Sequence, residues 1–247
     1  MLYSPLDQFE VKPLTYMTQS LAFSMTNFTL YLAMVLSMLT LYFMMIDSGN
    51  LGSTRWGVAI MAMYDTMLNL VTSQMGGTKS GYYFPLMFSM FNMMLLANLT
   101  SMMPYSFAMA AQLVAIVGLS LALWLGNLIL GLSLHGSKFF SLFVPSGTPL
   151  ILVPVLVLIE CLSYCSRAIS LGLRLSANIL SGHLTMTILG SLILGTMGSS
   201  IYGFMSGIMP MTGVVAITML EFGIAIMQAY VFSILLSGYM KDSVSLH

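Results

Sequence analysis

From Ser80 to Ser137 the chain carries no aspartate, glutamate, lysine or arginine. A soluble domain has about 25% charged residues, so a stretch of this kind cannot cover a water-facing surface. It has length enough for two membrane-spanning helices of about 20 residues each. The remainder of the chain has the same character. Its 247 residues are 58% hydrophobic and 6% charged. The sequence therefore reads as an all-α polytopic membrane protein, a single membrane domain over residues 1–247.

The first span is Leu21 to Ile46, closed by the polar group "DSGN" at Asp47 to Asn50. Within the charge-free stretch, "MMPYSF" at Met102 to Phe107 supplies a turn between Tyr82–Met103 and Ala108–Leu134. A polar loop, "HGSKFF", follows at His135 to Phe140. Pro149 and Pro154 then open the next helix, where proline is tolerated in the first turn. That segment, Leu150 to Gly195, amounts to roughly 65–70 Å of helix, about twice the hydrocarbon thickness. It must break or tilt strongly. A Gly/Ser-rich turn, Gly195 to Pro210, leads into a last segment, Met211 to Met240.

Ser53 to Met75 is of another kind. Trp56, Ile60, Met63, Met67 and Leu70 recur at helical spacing, while Asp65, Asn69 and Thr72 fall opposite. The pattern suits a helix lying in the interface rather than crossing, or equally one buried under a partner subunit. Five spans then alternate sides. One side receives Arg55, Lys79, Lys138 and Lys241, the other Lys12 alone. The positive-inside rule puts the N-terminus outside and the C-terminus inside.

Seven basic and seven acidic residues cancel, so no basic face exists for nucleic acid. Cys161 and Cys165 lie in an apolar helical run and read as small buried hydrophobes rather than a disulfide framework. The three histidines make no metal-ligand spacing, and no cofactor is expected. No charged start followed by a small-residue cleavage site is visible. The 26 methionines fit either pliable helix packing or a mitochondrial code that reads an isoleucine codon as methionine.

The buried charges carry the functional signal. An arginine at the bilayer centre costs roughly 2.5–3.5 kcal/mol, so Arg174 by default marks a functional site. Glu160, Arg167 and Arg174 are spaced by seven, only about 20° short of two helical turns, and so form one stripe. Asn178 and Ser181 continue it. Ala168, Ser170, Gly172, Ser176 and Ala177 surround it, small residues that let another helix approach closely. On the last segment Glu221 and Gln228 share a stripe that extends to Asp242. Two such stripes suggest a hydrophilic path between helices. Glu160 and Arg167 are about 10 Å apart along the axis, too far for direct contact. Arg167 is expected to pair with some other acid of this chain. Arg174, on its small-residue face, is open to a carboxylate of another chain. His183 fits a hydrogen-bonded buried side chain as well as a proton relay.

The stretch "SLGLRLSANILSGHL", Ser170 to Leu184, resembles the signature of subunit a of the proton-translocating ATP synthase. "SPLDQFE" near the start, "YFP" at Tyr83 to Pro85, "ANLTSMMPYSFA", "SLFVPSGTPL" and the ending "YMKDSVSLH" resemble its fungal mitochondrial form. The resemblance runs nearly end to end and favours the mitochondrial explanation of the methionines. It implies a protein beside a rotating ring of c subunits, each with one mid-membrane carboxylate, in the mitochondrial inner membrane. The peripheral stalk, other membrane-sector subunits and lipid are the further partners. The essential arginine of the family falls on Arg174, and its other polar channel positions fall on Asn178, His183, Glu221, Gln228, Glu160 and Asp242. Arg167 matches a second arginine of the mitochondrial forms. The resemblance also implies that the last two helices are long, tilted and curved around the ring.

No Gly-rich run followed by Lys-Ser/Thr occurs, so the chain itself is expected to bind no nucleotide and to be non-catalytic. A proton-coupled transporter would also bury Arg and Glu, but would usually add broken helices and repeat symmetry, and no internal repeat is visible. A membrane scaffold would need no stripe of charges. Co-isolation with a small, two-span, carboxylate-bearing protein separates these readings.

Overall fold

The computed structural model describes residues 6–15, 25–47, 55–76, 80–103, 106–144, 152–198 and 201–244. Six α-helices follow in order: α1 (Asn27–Asp47), α2 (Arg55–Met75), α3 (Ser80–Ser101), α4 (Leu113–His135), α5 (Val153–Met197) and α6 (Ile201–Val244). Among the described residues, α1, α3, α4, α5 and α6 are long and apolar enough to cross a membrane; α2 is not one of them. The all-α, five-span architecture matches the reading from sequence. The polar group after Asp47, Lys79 and Pro149 lie outside the described residues, as does the side chain of Trp56.

Four boundaries differ, each for a local reason. The first helix begins at Asn27 rather than Leu21, because Thr26 and Thr29 close its N-terminus. The Thr26 amide donates to Thr29 Oγ1 at 3.0 Å and the Thr29 amide to Thr26 Oγ1 at 3.4 Å, a reciprocal cap that satisfies otherwise orphaned N–H groups. Met25–Thr26 (β2) pairs instead with Pro13–Thr15 (β1) in a short antiparallel ribbon that sequence reading missed. The fourth helix begins at Leu113, because Met109–Ala111 forms a separate 3₁₀ turn. The expected loop at His135 to Phe140 is a 3₁₀ helix, Gly136–Phe143, entered through Gly136 at φ 55°. This left-handed conformation is the usual glycine stop of a helix. The sixth helix starts at Ile201, so most of the expected Gly195–Pro210 turn is helical and Pro210 lies inside it. Membrane helices tolerate interior glycine and proline. Gly207 serves packing, since a Cβ there would meet the Met197 side chain.

Backbone contacts divide the chain into two compact units. One comprises Met1–Asp47, Asn92–Gln112 and Leu175–Tyr230; the other comprises Ser48–Phe91, Leu113–Arg174 and Val231–His247. In the first unit, Ala108, Ala110, Ala111, Ile179 and Ala225 form a buried cluster against which Phe9 and Leu180 pack. Asn98 of α3 donates from Nδ2 to the Ala225 carbonyl at 3.0 Å, a buried tie to α6.

In the second unit, Phe139, Phe143 and Tyr164 form the core with Trp124 and Leu128 packed against them. Gly172 of α5 approaches α4 so closely that a Cβ would lie 2.9 Å from Val117 Cα. His135 Nε2 lies 3.2 Å from the Val244 carbonyl, so the end of α4 satisfies a terminal carbonyl of α6. Helix α2 buries Ile60, Met67, Leu70 and Val71 and exposes Asp65, Asn69 and Thr72. Tyr64 stacks edge-on with Phe84 and Phe88 of α3, at 4.9 and 5.5 Å. The amphipathic helix thus lies against this chain's own α3.

Candidate functional site

Helix α5 runs unbroken for 45 residues and α6 for 44. At 1.5 Å per residue each is roughly 65–70 Å long. Of the two outcomes the length allowed for the fifth segment, a break does not occur. Arg174 stands near the middle of α5 and Glu221 near the middle of α6. Glu221 is therefore more central than its distance from Pro210 suggests, because α6 starts ten residues earlier than expected.

In the first unit, a cleft of about 640 Å³ opens between α5 and α6. Asn178, Ser181 and Thr185 line it from α5, and Glu221 and Gln228 from α6. Glu221 is only 4% exposed, and neither carboxylate oxygen has a hydrogen-bond partner among the described residues. An unpartnered polar group buried this deeply is strongly disfavoured unless something else answers it. Gly182 makes room for it: a Cβ at that position would lie 2.7 Å from Glu221 Cδ. His183 does not line the cleft. It is half-buried, its ring meets Phe9 edge-on at 6.3 Å, and its Nε2 is buried without a partner among the described residues.

In the second unit, a cleft of about 500 Å³ is lined by Arg167, Ser170 and Arg174 of α5, Tyr239, Lys241 and Asp242 of α6, and Gln74 of α2. Arg167 Nη1 lies 3.2 Å from Asp242 Oδ2. The guanidinium sits 5.7 Å from the Tyr239 ring centroid, and the Tyr239 hydroxyl donates to the Arg167 carbonyl at 3.4 Å. Asp242 is thus the acid that Arg167 was expected to find. Arg174 is exposed and makes no ion pair among the described residues. Among the described residues that line this cleft, Arg167 is paired with Asp242 while the Arg174 guanidinium is left to face an added anion.

The clefts bring together six of the eight sequence-derived positions: Asn178, Glu221 and Gln228 in one, Arg167, Arg174 and Asp242 in the other. Glu160 lines neither; it is half-buried two turns before Arg167. The small residues of α5 divide between two faces rather than forming one. Ala168, Gly172 and Ser176, four apart, are buried, whereas Ser170 and Ala177 are exposed like Arg174. Cys161 is exposed rather than buried, on the apolar side of α5 with Leu158 and Leu162. Sequence reading missed Gln74, Gly182 and Tyr239. Gln74 carried a weak signal as a polar residue closing an amphipathic helix; the other two acquire meaning only from what faces them. Among the described residues no cluster of three or more His, Cys, Asp or Glu could hold a metal.

The sequence profile of the family described as ATP synthase A chain matches residues 25–241. Proteins named ATP synthase subunit a from Candida parapsilosis and Candida albicans are each 68% identical to the chain over 247 residues, covering 100% of both sequences. The protein of that name from Saccharomyces cerevisiae is 49% identical, covering 99% of this chain and 96% of its own.

Proposed function

Because the chain belongs to the ATP synthase A chain family, we propose that it is the proton-conducting stator subunit of that complex's membrane sector. It acts over residues 1–247 as one membrane domain, multi-pass in the mitochondrial inner membrane, with its N-terminus in the intermembrane space and its C-terminus in the matrix. The observation that carries this reading is the contrast between two arginines. Arg167 has Asp242 within 3.2 Å. Arg174, at the middle of a 45-residue apolar helix, is exposed and has no ion-pair partner among the described residues. An unpaired arginine in hydrocarbon costs roughly 2.5–3.5 kcal/mol, so its partner must come from outside the chain. A mid-membrane carboxylate on a ring of c subunits has the required charge and depth.

The two clefts support two offset half-channels. The inlet uses the cleft lined by Asn178, Glu221 and Gln228, with His183 beside it. A proton passing through neutralises a ring carboxylate, which can then face lipid, where its ionised form would be prohibitively unfavourable. After almost a full turn, the carboxyl reaches the outlet, releases its proton toward Asp242 and Glu160, and becomes ionised again. Arg174 holds it in that state, since a cation within about 4–6 Å favours the charged form. The same fixed charge blocks direct proton flow between the channels. Arg167 holds Asp242 in place through the ion pair and the Tyr239 contacts. Each proton crossing yields about 2.3 kcal/mol per 100 mV, which drives rotation and ATP synthesis in the catalytic head. This chain is non-catalytic and binds no nucleotide; its partners are the ring, the peripheral stalk, the other membrane-sector subunits and lipid.

Replacing Arg174 tests this. In assembled complexes, Arg174→Ala and Arg174→Gln should abolish proton-driven synthesis. Arg174→Lys should fail too, because a lysine lacks the delocalised fork and can lose its proton when buried. Normal synthesis by assembled Arg174→Ala complexes would refute the proposal.

A further inference from the structure

The segment before α1 is tied down at several points. Its 3₁₀ turn, Asp7–Phe9, is closed by the Phe9 amide donating to the Leu6 carbonyl at 3.0 Å. Gln112, at the threshold of α4, donates from Nε2 to the Phe9 carbonyl at 2.7 Å. The Phe9 side chain packs on the Ala108–Ala111, Ile179 and Ala225 cluster. The Asn27 amide donates to the Lys12 carbonyl at 3.1 Å, and β1 pairs with β2 just beyond. These tethers place the Phe9 ring edge-on to His183, at 6.3 Å with 80° between the planes. Among the described residues, Gln8 Nε2 on this turn and His183 Nε2 on α5 are each buried without a hydrogen-bond partner. Asp7 and Glu10 remain exposed.

We propose that the Asp7–Phe9 turn forms the wall of the proton inlet, with Phe9 the positioning residue that holds the His183 imidazole and Gln112 the clip that holds Phe9. This rests on the reading of His183 as an inlet residue. An imidazole with one open face would rotate among staggered rotamers. The Phe9 ring, packed on the buried cluster while Gln112 holds its backbone carbonyl, occupies one side of the imidazole and narrows that choice. Among the described residues the buried His183 Nε2 has no partner, and so remains available to a water molecule or a proton on the inlet side. The ionisable groups on the elements packed around His183 are Asp7, Glu10 and Lys12 on the N-terminal segment, Lys12 being paired to Glu10 at 3.4 Å, and Glu221 on α6.

The test compares Phe9→Ala, Phe9→Tyr, Gln112→Leu and His183→Gln in membrane vesicles carrying the assembled complex. Synthesis is followed while the pH on the inlet side is varied and the other side is held fixed. Phe9→Ala and Gln112→Leu should lose roughly tenfold in rate at high inlet pH, where proton capture limits turnover, and recover toward the parent rate at low inlet pH. Phe9→Tyr, which keeps the ring, should behave like the parent. A purely structural role would lower the rate equally at every inlet pH, or lower assembly. If His183→Gln changes the profile but Phe9→Ala and Gln112→Leu do not, the positioning role is wrong and the inlet reading stands. If His183→Gln itself leaves the profile unchanged, the assignment of His183 to the inlet falls, and the positioning role with it.

Discussion

Gly182 is the position where one methyl group should reach the proton path without touching the fold. A Cβ there would lie 2.7 Å from Glu221 Cδ, against an ordinary contact of 3.4–4 Å. The Glu221 carboxyl must therefore retreat by about 1 Å, and it can, because the obstacle is the end of a flexible side chain rather than backbone. Assembly should survive. A misplacement of about 1 Å at a reacting group costs up to 10²-fold, so Gly182→Ala should slow proton-driven synthesis by roughly ten- to 10²-fold. That is about 1.4–2.8 kcal/mol on the barrier. The assay is ATP synthesis in vesicles at fixed driving force, normalised to assembled complex. Gly190→Ala, on the same helix with nothing within 4 Å of its Cβ, is the control and should be silent. If Gly182→Ala and Gly190→Ala are equally active, Glu221 is not on the path, or its position does not matter there.

Two further outcomes follow from the geometry. Asp242→Asn should weaken the tie to Arg167, but the pair is 36% and 39% exposed, so a double-mutant cycle with Arg167→Ala should give a coupling below about 1 kcal/mol in complex stability; a coupling of several kcal/mol would mean the pair is far better shielded. Single cysteines at positions 47–50 and 76–80 should be labelled from the same face of the membrane, because α2, with Asp65, Asn69 and Thr72 exposed, is not among the helices apolar enough to cross; labelling from opposite faces would mean α2 crosses and would invert every later helix.

The membrane architecture was legible because charge is so costly in hydrocarbon: charge-free runs mark spans, and the few charges inside them mark sites. Arg174, Glu221 and the α5 stripe were singled out as candidates on that ground alone. The start of α6 was misjudged because Gly203, Gly207 and Pro210 signal a turn in water, while in a membrane helix they allow close packing, as Gly207 does against Met197. The β1–β2 ribbon was missed because two- and three-residue strands carry no periodicity. The small residues of α5 were visible as a set, but not their division into a buried face and an exposed face beside Arg174, nor that Gly172 on the buried face meets Val117 of α4. The union of Arg167 with Asp242 joins residues 75 positions apart and had no sequence signature beyond two unmatched charges. Phe9 and Gln112 carried none: an apolar residue near a terminus and a lone amide beside a span become informative only once Phe9 is seen against His183 and Gln112 is seen holding the Phe9 carbonyl.

Access of silver ions from each side to single cysteines at positions 221 and 242, read as inhibition of proton flow through the assembled membrane sector, tests the two-channel mechanism most directly. Position 221 should react from the intermembrane-space side and position 242 from the matrix side, with no cross-reaction while Arg174 is in place. Reaction of position 221 only from the matrix, or of position 242 only from the intermembrane space, would contradict it.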